Sequence, residues 1–435
     1  MTDTITKRAP RGRRTVAPGV VDRIYRGVVN HAAWGDLVVP APDDIRSAIL
    51  ELARRGPWVR LGLTATPSGR WLFDPGRLRE VVEAMVVPLP DPDPDRPTAD
   101  DVATVLRHGR AHPAGPLTYQ LWHSPFRVAL SCSHDLADGR TIDAMTSGIL
   151  RFAADGVLPE WAQSRDPRAP LARALLHTFS SRAAVSGLLD ARRAARHEDP
   201  APELPDPGPG VPATRTVVLR GAGREVRREI LQWRRAHAPR ASQAMVSLSI
   251  VRLALHRVGL AQQPRVNLVV DNRRYLPRPR RVHGNFVSGL ALPVPELADP
   301  SALTERVQRV VESGRPLAVM ALGAARALAR RGGAEQGPGG AVHPAAPIGL
   351  THVFMGRWVS GDAWPWAGER REMACWTEPG DPAGVAVLVS QAGGGWWYNL
   401  SHHRSGEAAE RIAEAARLAA EEPVSLLESA RERWR

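Results

Sequence analysis

Between Asp199 and Pro212 the chain runs DPAPELPDPGPGVP, and neither a helix nor a sheet strand survives so dense a run of proline and glycine. A break near the midpoint of 435 residues divides the chain into two halves, each long enough to bury a core of its own. Helical and extended patterns alternate on both sides of it, which favours α/β layering in each half. The expected division is a disordered basic tail over 1–20, a first lobe over 21–198, a linker over 199–213 and a second lobe over 214–435.

In the first half, Asp43-Asp44-Ile45 opens a helical pattern with Ile45, Ile49 and Leu52 on one face and Gly56 closing it. WVRLGLT and RWLF, joined through Thr66, Pro67, Ser68 and Gly69, read as a hairpin, and Pro90 to Pro97 as a loop. Residues Pro125 to Ser133 (PFRVALSCS) alternate, with Phe126, Val128, Leu130 and Cys132 on one face. A helix follows from about Arg140, carrying Ile142, Met145, Ile149 and Phe152. The second half predicts strands at TRTVVLR, Arg265–Asp271, Asn285–Val294, Gly349–Phe354, Val385–Ser390 and Trp396–Leu400. Its helices are expected at Val226–Trp233, at Gln243–Val258, through Ser301–Arg331 before a flexible GGAEQGPGG, and from Glu407 onward.

Composition excludes several functions. Lys7 is the only lysine, and it lies in the polar tail, so a Walker A loop, a Schiff-base lysine and a kinase strand lysine are all missing. Cys132 and Cys375 are the only cysteines, without a CxxC pair, which removes disulfide scaffolds and cysteine-built zinc sites. No apolar stretch is long enough for a membrane helix and the N-terminus has no signal-peptide core, so the expectation is a cytoplasmic protein away from membranes. The net charge of +13 invites a nucleic-acid reading, but the arginines are scattered and no nucleic acid is expected as a partner. Their two local concentrations are Lys7–Arg14 and Arg273–Arg281 (RRYLPRPRR); the second could attract an anionic partner such as coenzyme A, a phosphopantetheine arm or an acidic carrier protein.

The informative segment is Ser133-His134-Asp135-Leu136-Ala137-Asp138-Gly139, at the seam between a strand and a helix. A histidine leaving the end of a buried strand can enter a cleft with its ring held by packing. A neutral imidazole placed so can accept a proton from an attacking hydroxyl or amine. Asp138, just before the helix, can cap its free N–H groups or bind a buried cation. Gly139 permits a tight turn and close approach to the backbone. The plain alternative is a turn histidine beside an ordinary N-cap aspartate.

The segment resembles the HHxxxDG signature of the coenzyme A-dependent acyltransferase superfamily, which includes chloramphenicol acetyltransferase, nonribosomal-peptide condensation domains and polyketide-associated acyltransferases. Downstream, Asp271-Asn272-Arg273-Arg274-Tyr275-Leu276-Pro277 and Gly284-Asn285-Phe286-Val287-Ser288 look like the family's arginine-bearing strand and its GNFV-type segment. Element order, midpoint linker and length also fit a free-standing condensation-type enzyme. The resemblance implies an α/β fold of two chloramphenicol-acetyltransferase-like lobes in a V, with a substrate tunnel between them. It implies His134 as the catalytic base, and Asp138 as a structural aspartate paired with Arg273, or with Arg274 one residue out of register. It implies Gly139 as an oxyanion donor through its N–H, and Asn285 and Ser288 lining or bracing the tunnel. Ser133 stands where the family's first, supporting histidine usually is.

The implied reaction joins an acyl group, carried as a thioester on coenzyme A or on a carrier protein, to a hydroxyl or amine in natural-product or lipid biosynthesis. It needs no metal and no bound cofactor, and one chain with a complete site could act as a monomer. The alternative is a non-catalytic member of the fold that recruits a carrier protein or an enzyme. Other features are expected to be structural. His402-His403-Arg404-Ser405-Gly406-Glu407 reads as a strand-to-helix connection with Ser405 as cap. Gly221-Ala222-Gly223 and Gly393-Gly394-Gly395 are not nucleotide loops. The thirteen tryptophans, among them Trp364, Trp366, Trp396 and Trp397, read as packing, and His31, His283 and His352 carry no signal of their own.

Overall fold

The run RVALSCS is apolar enough to be buried on both faces, and it becomes the middle strand of a five-stranded sheet. The computed structural model describes residues 12–89, 101–111, 115–197, 214–278, 281–294, 299–329, 342, 346–356, 364–369, 371–432 and 434. The first half forms β1 (Arg14–Val16), β2 (Val29–Gly35), α1 (Pro42–Arg54), β3 (Leu63–Ala65), β4 (Trp71–Phe73), α2 (Leu78–Met85), β5 (Val86–Pro88) and α3 (Asp101–Ala111). It continues with β6 (Tyr119–His123), β7 (Arg127–Ser133), α4 (Gly139–Asp155), α5 (Pro170–Thr178) and α6 (Arg182–His197). The second half supplies β8 (Thr216–Ala222), α7 (Arg224–His237), α8 (Gln243–Arg257), β9 (Gln262–Asp271), β10 (Val287–Pro293), α9 (Pro300–Glu312) and α10 (Arg315–Ala329). It ends with β11 (Ile348–Gly356), β12 (Glu372–Trp376), β13 (Val385–Ala392), β14 (Gly395–His402), α11 (Gly406–Glu421) and α12 (Pro423–Arg431).

Two large sheets carry the α/β layering. The first runs β12-β2-β7-β6-β5 and the second β10-β9-β11-β13-β14-β8, with β9, β11 and β13 parallel. Helix α1 starts with Pro42 and two acidic residues, both suited to a helix N-terminus, and buries Ile45, Ile49 and Leu52. Helix α4 buries Ile142, Met145 and Ile149 and stops at Gly156, whose φ of 71° is the left-handed C-cap. In the second half every residue from Met245 to Leu255 is buried, so α8 runs through the core and packs on α11.

Several expectations need correction. The division into contiguous lobes fails at β12: Glu372–Trp376 leaves the second half and pairs antiparallel with β2 in the first sheet. Its other edge is held from the second sheet by side chains, with Cys375 N–H donating to Asn399 Oδ1 at 2.9 Å and Thr377 N–H to Ser401 Oγ at 3.2 Å. Residues of the expected tail form β1, which pairs with β4. Phe126 precedes β7 in a turn and is 63% exposed rather than sharing the buried face of Val128, Leu130 and Cys132. Pro423 breaks the terminal helix into α11 and α12. Ser405 occupies the N-cap of α11 without a side-chain hydrogen bond. The loop at 90–97, the linker at 199–213 and the GGAEQGPGG run lie outside the described residues. Among those described, no helix is long and apolar enough to cross a membrane.

Candidate active site

His134 follows the last residue of β7, and its own N–H extends the pairing with the β2 segment by donating to Val28 C=O at 2.7 Å. The backbone is therefore fixed where the strand ends. The ring is fixed by Tyr25, stacked on it with centroids 4.2 Å apart and planes 10° from parallel. Tyr25 in turn is tied across the molecule, its hydroxyl donating to Val287 C=O at 2.8 Å. Burial pushes the Tyr25 phenol well above its usual range, so it remains a neutral ring. Burial likewise holds the His134 imidazole below the ordinary 6.5. Its own backbone, the Asp138 charge, Asn285 and the Asp22 charge pull the other way without winning. His134 is thus a neutral imidazole, and its buried Nδ1 makes no hydrogen bond among the described residues.

Four residues on, the Asp138 carboxylate is fully occupied. As N-cap of α4 its Oδ1 accepts from Thr141 N–H at 3.1 Å. Its Oδ2 accepts from Phe286 N–H at 3.0 Å and lies 2.9 Å from Arg273 Nη1. Burial raises this carboxyl, but Arg273 and the two backbone donors outweigh burial and hold it below its ordinary value. The Arg273 fork is fully engaged: Nε donates to Val282 C=O, Nη1 to Asp138 and Asp271, and Nη2 to Thr141 Oγ1 and Gly284 C=O. Arg273, and not Arg274, is the partner; Arg274 is exposed.

A second buried carboxylate locks the same junction, and sequence reasoning missed it. Asp22 is 3% exposed and accepts at Oδ1 from Asn285 N–H at 2.8 Å and Nδ2 at 3.0 Å; its Oδ2 meets Arg60 Nη2 at 3.0 Å. Arg60 also donates to Leu136 C=O, inside the motif. Asn285 passes the constraint on, donating from Nδ2 to the His134 carbonyl at 2.7 Å. Gly284 is required here, because a Cβ would stand 2.5 Å from Arg60 Nη2 and 2.8 Å from Asp22 Oδ1.

His134, Asp138, Gly139 and Arg273 line one cavity of about 720 Å³, walled by both sheets. Ala32, Trp34 and Leu130 come from the first sheet, and Leu268, Val270 and Phe354 from the second. Gly139 opens α4 at the wall, where a side chain would come within 3.2 Å of Met355 Cε. Arg140 and Arg274 also line it, Arg140 meeting Asp271 at 3.2 Å. Three expected tunnel residues do not line this cavity. Ser133 Oγ donates back to Asp135 Oδ1 at 2.5 Å; Asn285 is spent on Asp22 and His134; Ser288 Oγ donates to Pro316 C=O and accepts from Asn272. The last two brace the site from behind.

The basic run Arg273–Arg281 is divided: Arg273 is buried in its pair, Arg274 reaches the cavity, and Arg281 meets Glu160 on the surface. His31 is buried against Ser131 and His283 pairs with Asp166, whereas His352, read as featureless, lines the cavity. Gly393 and Gly394, both at positive φ, turn the β13–β14 hairpin. Trp364 stacks on Trp34 at 4.5 Å, and Trp396 is fully buried. Among the described residues, no three His, Cys, Asp or Glu side chains gather to hold a metal ion.

No family model matches the sequence, and no curated protein matches it in sequence. Solved structures do match in shape. The trichothecene 15-O-acetyltransferase from Fusarium sporotrichioides superposes with a TM-score of 0.58 at 12% identity, over 94% of each chain. The condensation domain from the Monacolin K polyketide synthase gives 0.57 at 14% identity, over 94% of this chain and 93% of that one. The epimerization domain from the third module of tyrocidine synthetase B gives 0.56 at 12%, over 98% and 100%. This chain has the fold those proteins share, that of condensation-type domains and the related acyltransferases.

Proposed function

We propose that this protein is a condensation-type acyltransferase, transferring an acyl group from a thioester on coenzyme A or a carrier protein to a hydroxyl or amine. The observation that carries the reading is the contrast between His134 and Asp138 in one cavity lining. A neutral imidazole, held by a stacked ring, lines a cavity shared by both sheets, while the nearby carboxylate is consumed by Arg273 and two backbone donors. An ionised aspartate left unpaired in the cavity wall would repel a developing oxyanion; paired with Arg273 and two backbone donors, it sets the backbone instead.

In this reaction His134 takes the proton of the acceptor as its oxygen or nitrogen attacks the thioester carbonyl, and returns it to the departing thiolate. The N–H of Gly139, at the positive end of α4, faces the oxyanion. Donor and acceptor reach the cavity from opposite faces, between the two halves in a V. Arg140 and Arg274 suit an anionic donor such as a phosphopantetheine arm. Placement in natural-product biosynthesis follows from the kinship of fold alone.

The test is incubation with a panel of acyl-coenzyme A and acyl-carrier thioesters and small hydroxyl and amine acceptors, following free thiol and ester or amide product together. Acceptor-dependent thiol release with matched product is expected. Thioester binding with no turnover for any pair would leave a recruiting module instead.

A further inference from the structure

The second sheet gives the cavity a largely apolar wall, and His352 is a buried polar side chain within it. His352 lies on β11 between Leu268 of β9 and Val387 of β13, and only 2% of it is exposed. Its Nε2 is 3.1 Å from Ser247 Oγ, and that hydroxyl is also 2.9 Å from Ala244 C=O, one turn back on α8. A serine hydroxyl has a single hydrogen. Both contacts are hydrogen bonds only if that hydrogen goes to Ala244 and His352 donates from Nε2. The ring is then the Nε2–H tautomer, and Nδ1 is left with a lone pair that no described residue meets. Burial alone drives this imidazole down to about 3, so the lone pair persists at every ordinary pH.

Nδ1 of His352 is not one of the buried unpartnered atoms and His352 lines the cavity, so a donor on a bound molecule can take the place of water there. Among the described residues, the buried unpartnered nitrogens of the lining are Trp34 Nε1, which can only donate, and His134 Nδ1. From this we infer that His352 is a substrate-recognition residue: its Nδ1 accepts a hydrogen bond from an O–H or N–H carried on the apolar body of the molecule that fills the cavity. This rests on the cavity being the substrate site, and it narrows the substrate class to apolar groups bearing one buried donor. A site built for a donor rejects the analogue that lacks it.

Phenol and anisole test it, since they share an aromatic body and an oxygen acceptor and differ in the donor. Binding is measured by calorimetry on the full chain, wild type and the His352→Leu, His352→Asn and His134→Ala variants, each checked for an unchanged melting transition. Wild type should prefer phenol about fivefold, the ratio expected of one net hydrogen bond. His352→Leu should abolish the preference, His352→Asn should keep part of it, and His134→Ala should leave it intact. A preference that survives His352→Leu, or one lost with His134→Ala, overturns the inference, as does failure of wild type to bind phenol. Nitrogen-15 spectra of histidine-labelled wild type need no variant: a protonated Nδ1 at His352 also overturns it. Neither probe is a thioester, so these results stand whatever the thiol-release assay returns.

Discussion

Two strand-to-helix seams in this molecule look alike in sequence and differ in what surrounds them. At the first, β7 ends, His134 follows, and Gly139 opens α4 behind the Asp138 cap. At the second, β14 ends at His402, and Gly406 opens α11 behind Ser405. His134 and Asp138 line the shared cavity, whereas none of His402 to Ser405 does. His403 is spent on Glu378 and Thr214 C=O, and Arg404 on the carbonyls of Ala383 and Ala346. His402 is buried with both ring nitrogens unpartnered, its imidazole pushed by burial to about 4. A histidine at a strand end is common ground; what separates the two is a cavity before the ring and a neighbouring carboxylate matched to an arginine from the other half.

The contrast can be broken experimentally, beginning with the largest effect. Asp138→Ala should cost about 3 kcal/mol of stability, the low end for a broken buried pair because Asp271 remains 3.2 Å from the stranded guanidinium. The loss is read from denaturant midpoints; an unchanged midpoint would make the pair ornamental. At the second seam, His403→Leu should cost about 2 kcal/mol, for an unmet Thr214 carbonyl and a Glu378 left with Trp376 Nε1 as its donor, and leave turnover unaltered. A fall in turnover of the folded variant would give that seam a role denied to it here. Tyr25→Leu should lower kcat about tenfold at unchanged KM by freeing the His134 ring, while Tyr25→Phe, which keeps the stack, stays within about threefold.

A pH-dependent effect concerns Asp143, buried on α4 with Trp364 Nε1 as a donor at 2.9 Å and pushed by burial up to about 8. The folded protein keeps this proton while the unfolded chain loses it near 3.8, so the group erodes stability as pH rises from about 4 to 8. Asp143→Asn should therefore raise the melting temperature at pH 8, with the gain shrinking as pH falls and little left at pH 4. A gain independent of pH would contradict the buried, protonated carboxyl.

Much of the site was legible because it is local. The motif, its position between a strand and a helix, and the arginine of the DNRRYLP segment all sit in patterns that sequence spacing exposes. The clamp was not legible. Tyr25, Asp22 and Arg60 lie in short 3-10 turns without periodicity, and their partners His134, Asn285 and Leu136 are tens to hundreds of positions away. Strand β12 was missed because EMACW is brief and mixed, and its burial comes from pairing with β2 across the chain rather than from its own pattern. The expected tunnel residues Asn285 and Ser288 fell in the right region; which way an asparagine or serine turns is set by carbonyls and carboxylates that a linear reading does not place.

Everything turns on His134 as a neutral base, and the most direct measurement is thiol release by wild type and His134→Ala across pH with a productive thioester and acceptor. Wild type should lose activity only as pH falls below about 6.5, because burial depresses the imidazole. His134→Ala should melt as wild type does and run about 10²–10⁴ times slower. A folded His134→Ala protein that turns over at the wild-type rate would contradict the assignment outright.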